Sequence, residues 1–464
     1  MYSMLLHRVL VDIGSVRHYY KTLLPEVKKA KIKGMQYNTL AILTRYYMNS
    51  DKKSYIDEKT RNDMDTAIQE NLVIEDLSED GGEKASLSVK VKKGSILNSG
   101  DFETNLARAA LGYSKALMLP RIHYSNALIM FVVKFEEFLS NLYRCILTSY
   151  SDQLLAEKTI KYCDLCNAAT VESARELLIS IEVESFMRKS FSDWCKFFEE
   201  RKIDLSFVNV YLLKLKEIML RRNLIVHNKG MINLCYIRNV PESSRDGIKE
   251  GSRIEINEEY LEETYTTIEI VVFALIISIT KLIQGSNERR EHVENVFSSA
   301  FDLLEQEEWE QCSTIFQLLL NSEFIDNSYK EMSRVNLWIA KKNINLDTSW
   351  KKEVANYDVS ALAQQFGLAK AILLDNSQEA LQLVQPLYPD VISAKYLKEW
   401  PLFKQFRSTP EYERFRNMHR QDFDIQIQDV EQNREVEEEP LRLLDFTIPS
   451  MQSQKVIGDS KNIE

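Results

Sequence analysis

Helix-breaking residues are scarce in this sequence. It has only 13 glycines and 9 prolines among 464 residues, which disfavours glycine-rich nucleotide loops, folds built on repeated β-turns, and collagen-like or low-complexity chains. The remaining composition, 44% hydrophobic and 28% charged, is typical of a globular protein. Two to four domains are expected at this length, so we predict a mainly α-helical protein of several domains.

Long hydrophobic runs and an excess of basic charge are also missing. The longest apolar run, residues 270–279, is shorter than the ~20 residues that a membrane span needs, and the N-terminus has no signal-peptide pattern. The net charge is −10, so the chain is no basic coat for nucleic acid, and any such contact must be local. These features predict a cytoplasmic protein without a membrane segment.

Cysteine and histidine are few and poorly spaced for metal binding. Cys163 and Cys166 stand alone, without the second pair that a structural zinc site uses, and ordinary reduced thiols are the simpler interpretation. The six histidines include no i, i+4 pair, and the sequence has no P-loop, H-E-x-x-H or G-x-S-x-G motif. We therefore expect neither a metal ion nor a cofactor.

Changes in composition indicate four segments. The first ends in a polar, turn-rich stretch, the second has the most apolar helical patterns, and the third reads as short paired helices. The fourth is polar and acidic without sustained periodicity, which is typical of a disordered tail. The predicted domains are residues 1–100, 101–285, 286–418 and 419–464.

The first segment combines amphipathic helices with a β-hairpin. The predicted helices are residues 5–24, 36–48, 53–60 and 61–71, and the predicted hairpin is residues 72–91. This order resembles the winged-helix domain of MarR-type transcription regulators. The helix that would read DNA carries Arg61 together with three acidic residues. DNA binding and a role in protein contacts or dimerisation therefore both stay open.

One arginine interrupts an apolar stripe in the second segment. The predicted helix 207–229 has a stripe at spacings of four and three, and Arg222 occupies a stripe position. A guanidinium there is unfavourable unless it is paired or lines a wet site. His227 follows in the last turn if Gly230 lies just past the helix end. Because Arg222 and His227 lie ~140° apart on a regular helix, a bound phosphate or a second copy must join them.

This motif resembles the signature of the HEPN superfamily. Arg222 and His227 match its R-x(4–6)-H pattern, and Asn223 is the polar residue that often follows the arginine. The predicted helix over residues 127–144, with the sequence FEEFL at its centre, is similar to the long helix of HEPN domains.

The sequence after the motif also resembles this superfamily. Residues 231–237 and 251–256 are similar to an insert that many members carry. Asn257 is expected to cap a closing helix that runs through residue 283. The resemblance covers residues 104–284 and predicts a central HEPN helical bundle.

The resemblance implies a dimer in which two motifs share one cleft. Such proteins are typically metal-independent endoribonucleases, in which the 2′-hydroxyl attacks the adjacent phosphate and leaves a 2′,3′-cyclic phosphate and a 5′-hydroxyl. For this chain it implies that His227 transfers protons and Arg222 stabilises phosphate charge. Asn223 would orient His227 or the phosphate.

Three neighbouring residues would support such a site. Arg221 and Lys229 add positive charge, and Glu136 matches a family position, where it either anchors Arg222 or is solvated. A homodimeric nuclease joined to two accessory modules implies a regulated toxin or an effector of antiviral defence that acts on RNA.

The third segment reads as pairs of helices. One pair covers residues 293–305 and 308–320, and another covers 360–374 and 378–387. This pairing resembles tetratricopeptide-type repeats. Residues 286–464 are therefore either a module that binds a regulatory protein or an extension that buries one face of the central bundle.

Two alternatives to a nuclease remain. The central bundle would be a non-enzymatic sensor or scaffold if it only dimerises or binds RNA. The chain would be a DNA-binding regulator if residues 36–93 bind a duplex in a salt-dependent way.

Overall fold

The structure, a computed structural model, describes residues 2–48, 58–76, 87–93, 106–166, 168–245, 247–344 and 348–423. These residues are mainly α-helical, which confirms the prediction from composition, and they include a two-stranded sheet. The chain divides into two compact units, Met1–Val296 and Phe297–Glu464. The predicted boundary near residue 100 lies outside the described residues.

The first unit consists of helices, several of them long, with a hairpin near its start. Its elements are α1 (Tyr2–Met48), α2 (Glu58–Asn71), β1 (Leu72–Asp76), β2 (Leu87–Val91), α3 (Leu106–Ser149), α4 (Ser151–Leu154), α5 (Tyr162–Cys166), α6 (Val171–Met187), α7 (Phe191–Glu200), α8 (Asn209–Asn228), α9 (Leu234–Asn239) and α10 (Glu258–Ser278). Helix α11 (Ser286–Glu305) begins in this unit.

Helix α1 packs against α3 and α10 by one apolar stripe. Its buried residues recur every three or four positions, as one-sided helix packing requires: Leu6, Val9, Ile13, Val16, Tyr20, Leu24 and Val27. The side chains of Arg17 and Lys21 both reach Glu262 on α10. The sequence predicts two helices here, but one helix continues through Pro25, because core packing of Leu24 and Val27 offsets the cost of proline.

The predicted hairpin is present next to α2. Strands β1 and β2 pair antiparallel, with Leu72 opposite Val91 and Asp76 opposite Leu87. The predicted helix 53–60 lies largely outside the described residues, and so does the turn of the hairpin. The winged-helix interpretation of this segment stays a prediction.

Helix α10 is the core of the first unit. Asn257 caps it, since its side chain accepts a hydrogen bond of 2.9 Å from the backbone N–H of Tyr260, as the sequence predicts. A 3-10 turn, Ile279–Leu282, extends it. Residues 258–282 are long and apolar enough to span a membrane, but 78% of that apolar window is buried inside the protein. It packs against α1, α3 and α8, which is the environment of a core helix.

The second unit continues with short helices. They are α12 (Trp309–Asn321), α13 (Asn327–Ile344), α14 (Ser349–Ala355), α15 (Gln364–Leu373), α16 (Ser377–Val384), α17 (Ala394–Glu399) and α18 (Pro410–Met418). The predicted pair α15 with α16 packs together. Helices α11 and α12 follow each other as predicted, but α12 packs mainly against α13, which the sequence does not predict. Residues 419–423 were assigned to the tail, yet Phe423 is buried against Tyr388 and Tyr412. The rest of the predicted tail lies outside the described residues.

Candidate active site

Helix α8 carries the R-x(4–6)-H motif and ends just after it. The helix stops at Asn228, and Lys229 adopts the left-handed conformation with φ of 53°. Gly230 follows with φ of 75°, a region that glycine enters without a Cβ penalty. The backbone N–H groups of Lys229 and Gly230 both donate to the carbonyl of Leu224. His227 therefore lies in the last turn, as the sequence predicts.

Arg222 is half-buried and pairs with Glu136 on α3. Its Nη2 donates a hydrogen bond to Oε1 of Glu136, so the structure favours the anchoring alternative for this carboxylate. The Nε atom is buried without a partner, and no hydrogen bond in the described part of the chain involves Nη1. The guanidinium therefore keeps donors for a further acceptor.

Burial dominates the electrostatics of Glu136. Partial desolvation raises the pKa of this carboxyl above its usual value, while the guanidinium of Arg222 acts in the opposite direction. Glu136 positions the guanidinium of Arg222 through one hydrogen bond, which leaves its other N–H donors unused by protein groups within the described ranges.

Asn223 and His227 lie on the solvent side of α8. Both are exposed, and their i, i+4 spacing places them on one face. No hydrogen bond joins them, and none holds either side chain within the described residues. The structure does not bring His227 into contact with Arg222, in agreement with the angle expected from helix geometry.

Arg221 belongs to a different, buried cluster. Its Nε donates to Glu217, whose side chain is 1% exposed, and its Nη1 donates to the backbone carbonyl of Glu255 at 2.9 Å. The hydroxyls of Tyr236 and Tyr260 donate to the same carboxylate at 3.1 and 2.8 Å. This cluster joins α8, α9 and α10, so Arg221 supports the site through the scaffold.

Two arginines that the sequence analysis did not single out meet at the end of α8. Arg121 Nη2 and Arg253 Nη1 each donate to the carbonyl of Lys229 at 2.8 Å. They lie 108 and 24 residues from Lys229 in the chain, so no local pattern could predict their convergence. The exposed side chain of Lys229 adds a third positive charge beside His227.

The chemistry of this region is acid–base and electrostatic. In the described part of the chain, no group of three or more His, Cys, Asp or Glu residues could hold a metal ion. What the region offers is a partly free guanidinium, an exposed imidazole and a set of cations at one helix end. Such groups can bind phosphate oxygens and move protons.

Comparisons of the whole chain with protein-family models, with curated proteins and with solved structures gave no match. The HEPN resemblance therefore depends on the motif residues and their setting alone.

Proposed function

We propose that the protein is a metal-independent endoribonuclease of the HEPN type that acts as a homodimer. One observation carries the proposal. Arg222 is positioned by Glu136 with unused donors, while His227 is exposed one turn later on the same helix. This arrangement separates a group that neutralises charge from a group that is accessible for proton transfer.

The proposed reaction is an intramolecular transesterification. The 2′-oxygen of the ribose bonds to the adjacent phosphorus and its proton passes to a His227 ring. The bond from phosphorus to the 5′-oxygen breaks, and that oxygen takes a proton from the His227 of a second copy. Arg222 neutralises the non-bridging oxygens, where negative charge accumulates in the transition state. The products are a 2′,3′-cyclic phosphate and a 5′-hydroxyl.

The exposed face of α8 supports pairing with a second copy. Leu213, Lys216, Asn223 and His227 lie on this face at spacings of three, seven and four, which fits the repeat of a helix–helix seam, whereas Leu220 packs against the chain's own core. Leu213, nine residues before Arg222, is 41% exposed in the single chain. Pairing of two such faces in parallel, with like residues opposite each other, would place both His227 rings in one cleft.

Cleavage of single-stranded RNA by the purified protein in excess EDTA tests the activity. We expect the wild type to produce cyclic-phosphate ends and Arg222→Ala and His227→Ala to be inactive. Matched controls are Arg144→Ala, an arginine of α3 paired with Glu176, and His18→Ala, an exposed histidine of α1. Equal cleavage by wild type and both motif variants would refute the proposal.

A second measurement tests the dimer. Leu213→Glu places a charge in the proposed seam, so we expect a shift from dimer to monomer in sedimentation velocity together with loss of cleavage. A monomeric wild type that cleaves RNA would show that one copy is sufficient.

The biological role is proposed on the same basis. A nuclease of this kind acts as a toxin or a defence effector if its activity is held in check, and residues 286–464 are the candidate site for a regulatory protein. Expression in a bacterial host tests this idea. We expect the wild type to arrest growth and His227→Ala to be tolerated at the same protein level.

A further inference from the structure

Two arginines at the end of α8 have no acidic partner. Arg121 and Arg253 have no carboxylate within 4 Å among the residues that the structure describes. The other α3 arginine with a described side chain, Arg144, pairs with Glu176, and both arginines of α8, Arg221 and Arg222, have carboxylate partners. Other arginines, such as Arg201 and Arg407, also donate only to backbone carbonyls, but Arg121 and Arg253 converge on the same carbonyl oxygen.

The two guanidiniums are forced close together. Each nitrogen lies 2.8 Å from the carbonyl oxygen of Lys229, so the two cannot be more than 5.6 Å apart. A Cβ at Gly230 would only touch the two arginine side chains at ordinary contact distance, so this position favours glycine because of its φ of 75°. Like charges at this separation repel, and one carbonyl oxygen compensates them only in part.

Each arginine retains most of its hydrogen-bonding capacity. A guanidinium has five N–H donors, and each of these two uses one on the carbonyl of Lys229. Arg253 is exposed and Arg121 is half-buried, so the remaining donors are accessible from solvent. A pair of planar guanidiniums matches the oxygens of a phosphate diester.

We propose that Arg121 and Arg253 bind a backbone phosphate of the RNA next to the one that is cleaved. This inference rests on the proposed function. His227 lies two residues before Lys229, so the imidazole and the arginine pair are at the same end of α8. The pair fixes the register of the strand, while Arg222 and His227 act on the scissile phosphate.

Binding of a labelled single-stranded RNA tests the pair. The assay uses full-length His227→Ala protein, which does not cleave its ligand, and fluorescence anisotropy from about 50 to about 200 mM salt. We expect Arg121→Gln with Arg253→Gln to weaken binding about tenfold and to lower the slope of log K against log salt by about 0.7, the value for one phosphate on a single strand.

Removing Arg121 and Arg253 also removes two hydrogen bonds to the carbonyl of Lys229 at the end of α8. Two matched variants separate this structural effect from the loss of phosphate binding. Arg121→Lys with Arg253→Lys keeps the charges, so we expect it to retain most of the salt slope. Arg144→Gln removes an α3 arginine that already has an acidic partner, so we expect it to bind like the parent. Urea unfolding of each variant establishes that the fold is kept.

The outcomes separate the two proposals. If the glutamine pair binds RNA as the His227→Ala parent does, and the same two substitutions in the wild-type protein leave cleavage unchanged, the phosphate site is refuted and the nuclease proposal stands. If the wild type neither binds nor cleaves RNA, both are refuted. If the glutamine pair loses RNA affinity while the wild type fails to cleave, the phosphate site stands and the nuclease proposal falls.

Discussion

Arg221 and Arg222 are adjacent in the chain yet differ in almost every physical respect. Arg221 contacts Glu217, stacks on the ring of Tyr260 at 4.2 Å and donates to the carbonyl of Glu255. Arg222 has one carboxylate partner, Glu136, and leaves donors unused. The first arginine holds helices together, and the second is available for a ligand.

The difference follows from the period of the helix. Consecutive residues are rotated by ~100°, so one of the two points towards α9 and α10 and the other towards α3. Sequence alone shows two basic residues together. Packing decides which one is structural, because the buried carboxylate of Glu217 requires a cation on its own side.

The largest expected effect is on stability when the structural arginine is removed. Arg221→Ala leaves the carboxylate of Glu217, 1% exposed, with Lys214 at 4.0 Å as its remaining cation. Breaking a buried ion pair by removing one partner costs about 3–5 kcal/mol, and urea unfolding followed by circular dichroism measures it. A loss of unfolding free energy below about 1 kcal/mol would show that the hydrogen bonds from Tyr236 and Tyr260 stabilise the buried carboxylate of Glu217 without Arg221.

Arg222→Ala is expected to affect activity far more than stability. Removing a donor that stabilises transition-state charge lowers the rate about 10²–10³-fold, or about 2.7–4 kcal/mol in the barrier. Unfolding should change by less than about 1 kcal/mol, because the guanidinium is partly exposed and has one partner. Single-turnover cleavage measures the rate. If Arg221→Ala and Arg222→Ala destabilise the fold to the same extent, the distinction between a structural Arg221 and a ligand-binding Arg222 is wrong.

The hydroxyls around Glu217 give a smaller effect of the same kind. Tyr260→Phe deletes a hydrogen bond of 2.8 Å to a buried charge while keeping the ring under Arg221. Hydrogen bonds to charged groups contribute about 1.5–3 kcal/mol. We expect a loss near the lower limit in urea unfolding, and a Tyr260→Phe protein as stable as the wild type would argue against a closed network.

The histidines also divide into exposed and buried ones. The buried histidines predict that the stability of the protein depends modestly on pH. His292 is 3% exposed, and its nitrogens lie 3.2 Å from Ser3 Oγ and 3.1 Å from the carbonyl of Ile276. Burial lowers the pKa of His292, as it does for His123. Below the unfolded pKa of about 6.5 the unfolded chain binds more protons, so stability falls as the pH falls.

Comparison of urea unfolding at about pH 7.5 and about pH 5.5 measures this dependence. We expect His292→Gln to reduce the difference in unfolding free energy between the two pH values. The control is His18→Ala, which removes an exposed histidine. A wild type that is more stable at the lower pH would reverse the predicted sign.

Local sequence patterns predicted the structural elements that are determined by interactions between residues close together in the chain. The cap at Asn257, the position of His227 in the last turn and the pairing of β1 with β2 all follow from neighbouring residues. The continuity of α1 through Pro25 did not, because it depends on packing against helices about 100 residues away or more.

The surroundings of the candidate site were harder to predict than its motif. The spacing of Arg222 and His227 is visible in the sequence, and so is the match of Glu136 to a family position. Arg121 and Arg253 meet at Lys229 only through the tertiary fold. Chain position gives no signal for it, since two residues of the same type meet through a backbone atom of a third.

The apolar character of α10 has a consequence for synthesis. Residues 258–282 are apolar enough for a membrane span. They would be prone to aggregate if they emerged from the ribosome before the helices that bury their apolar surface. Although His292 of the later helix α11 also reaches α10, the three helices that make most of its contacts, α1, α3 and α8, all precede it in the chain. Each is therefore translated before α10 emerges, and the most hydrophobic segment meets its partners as soon as it is made.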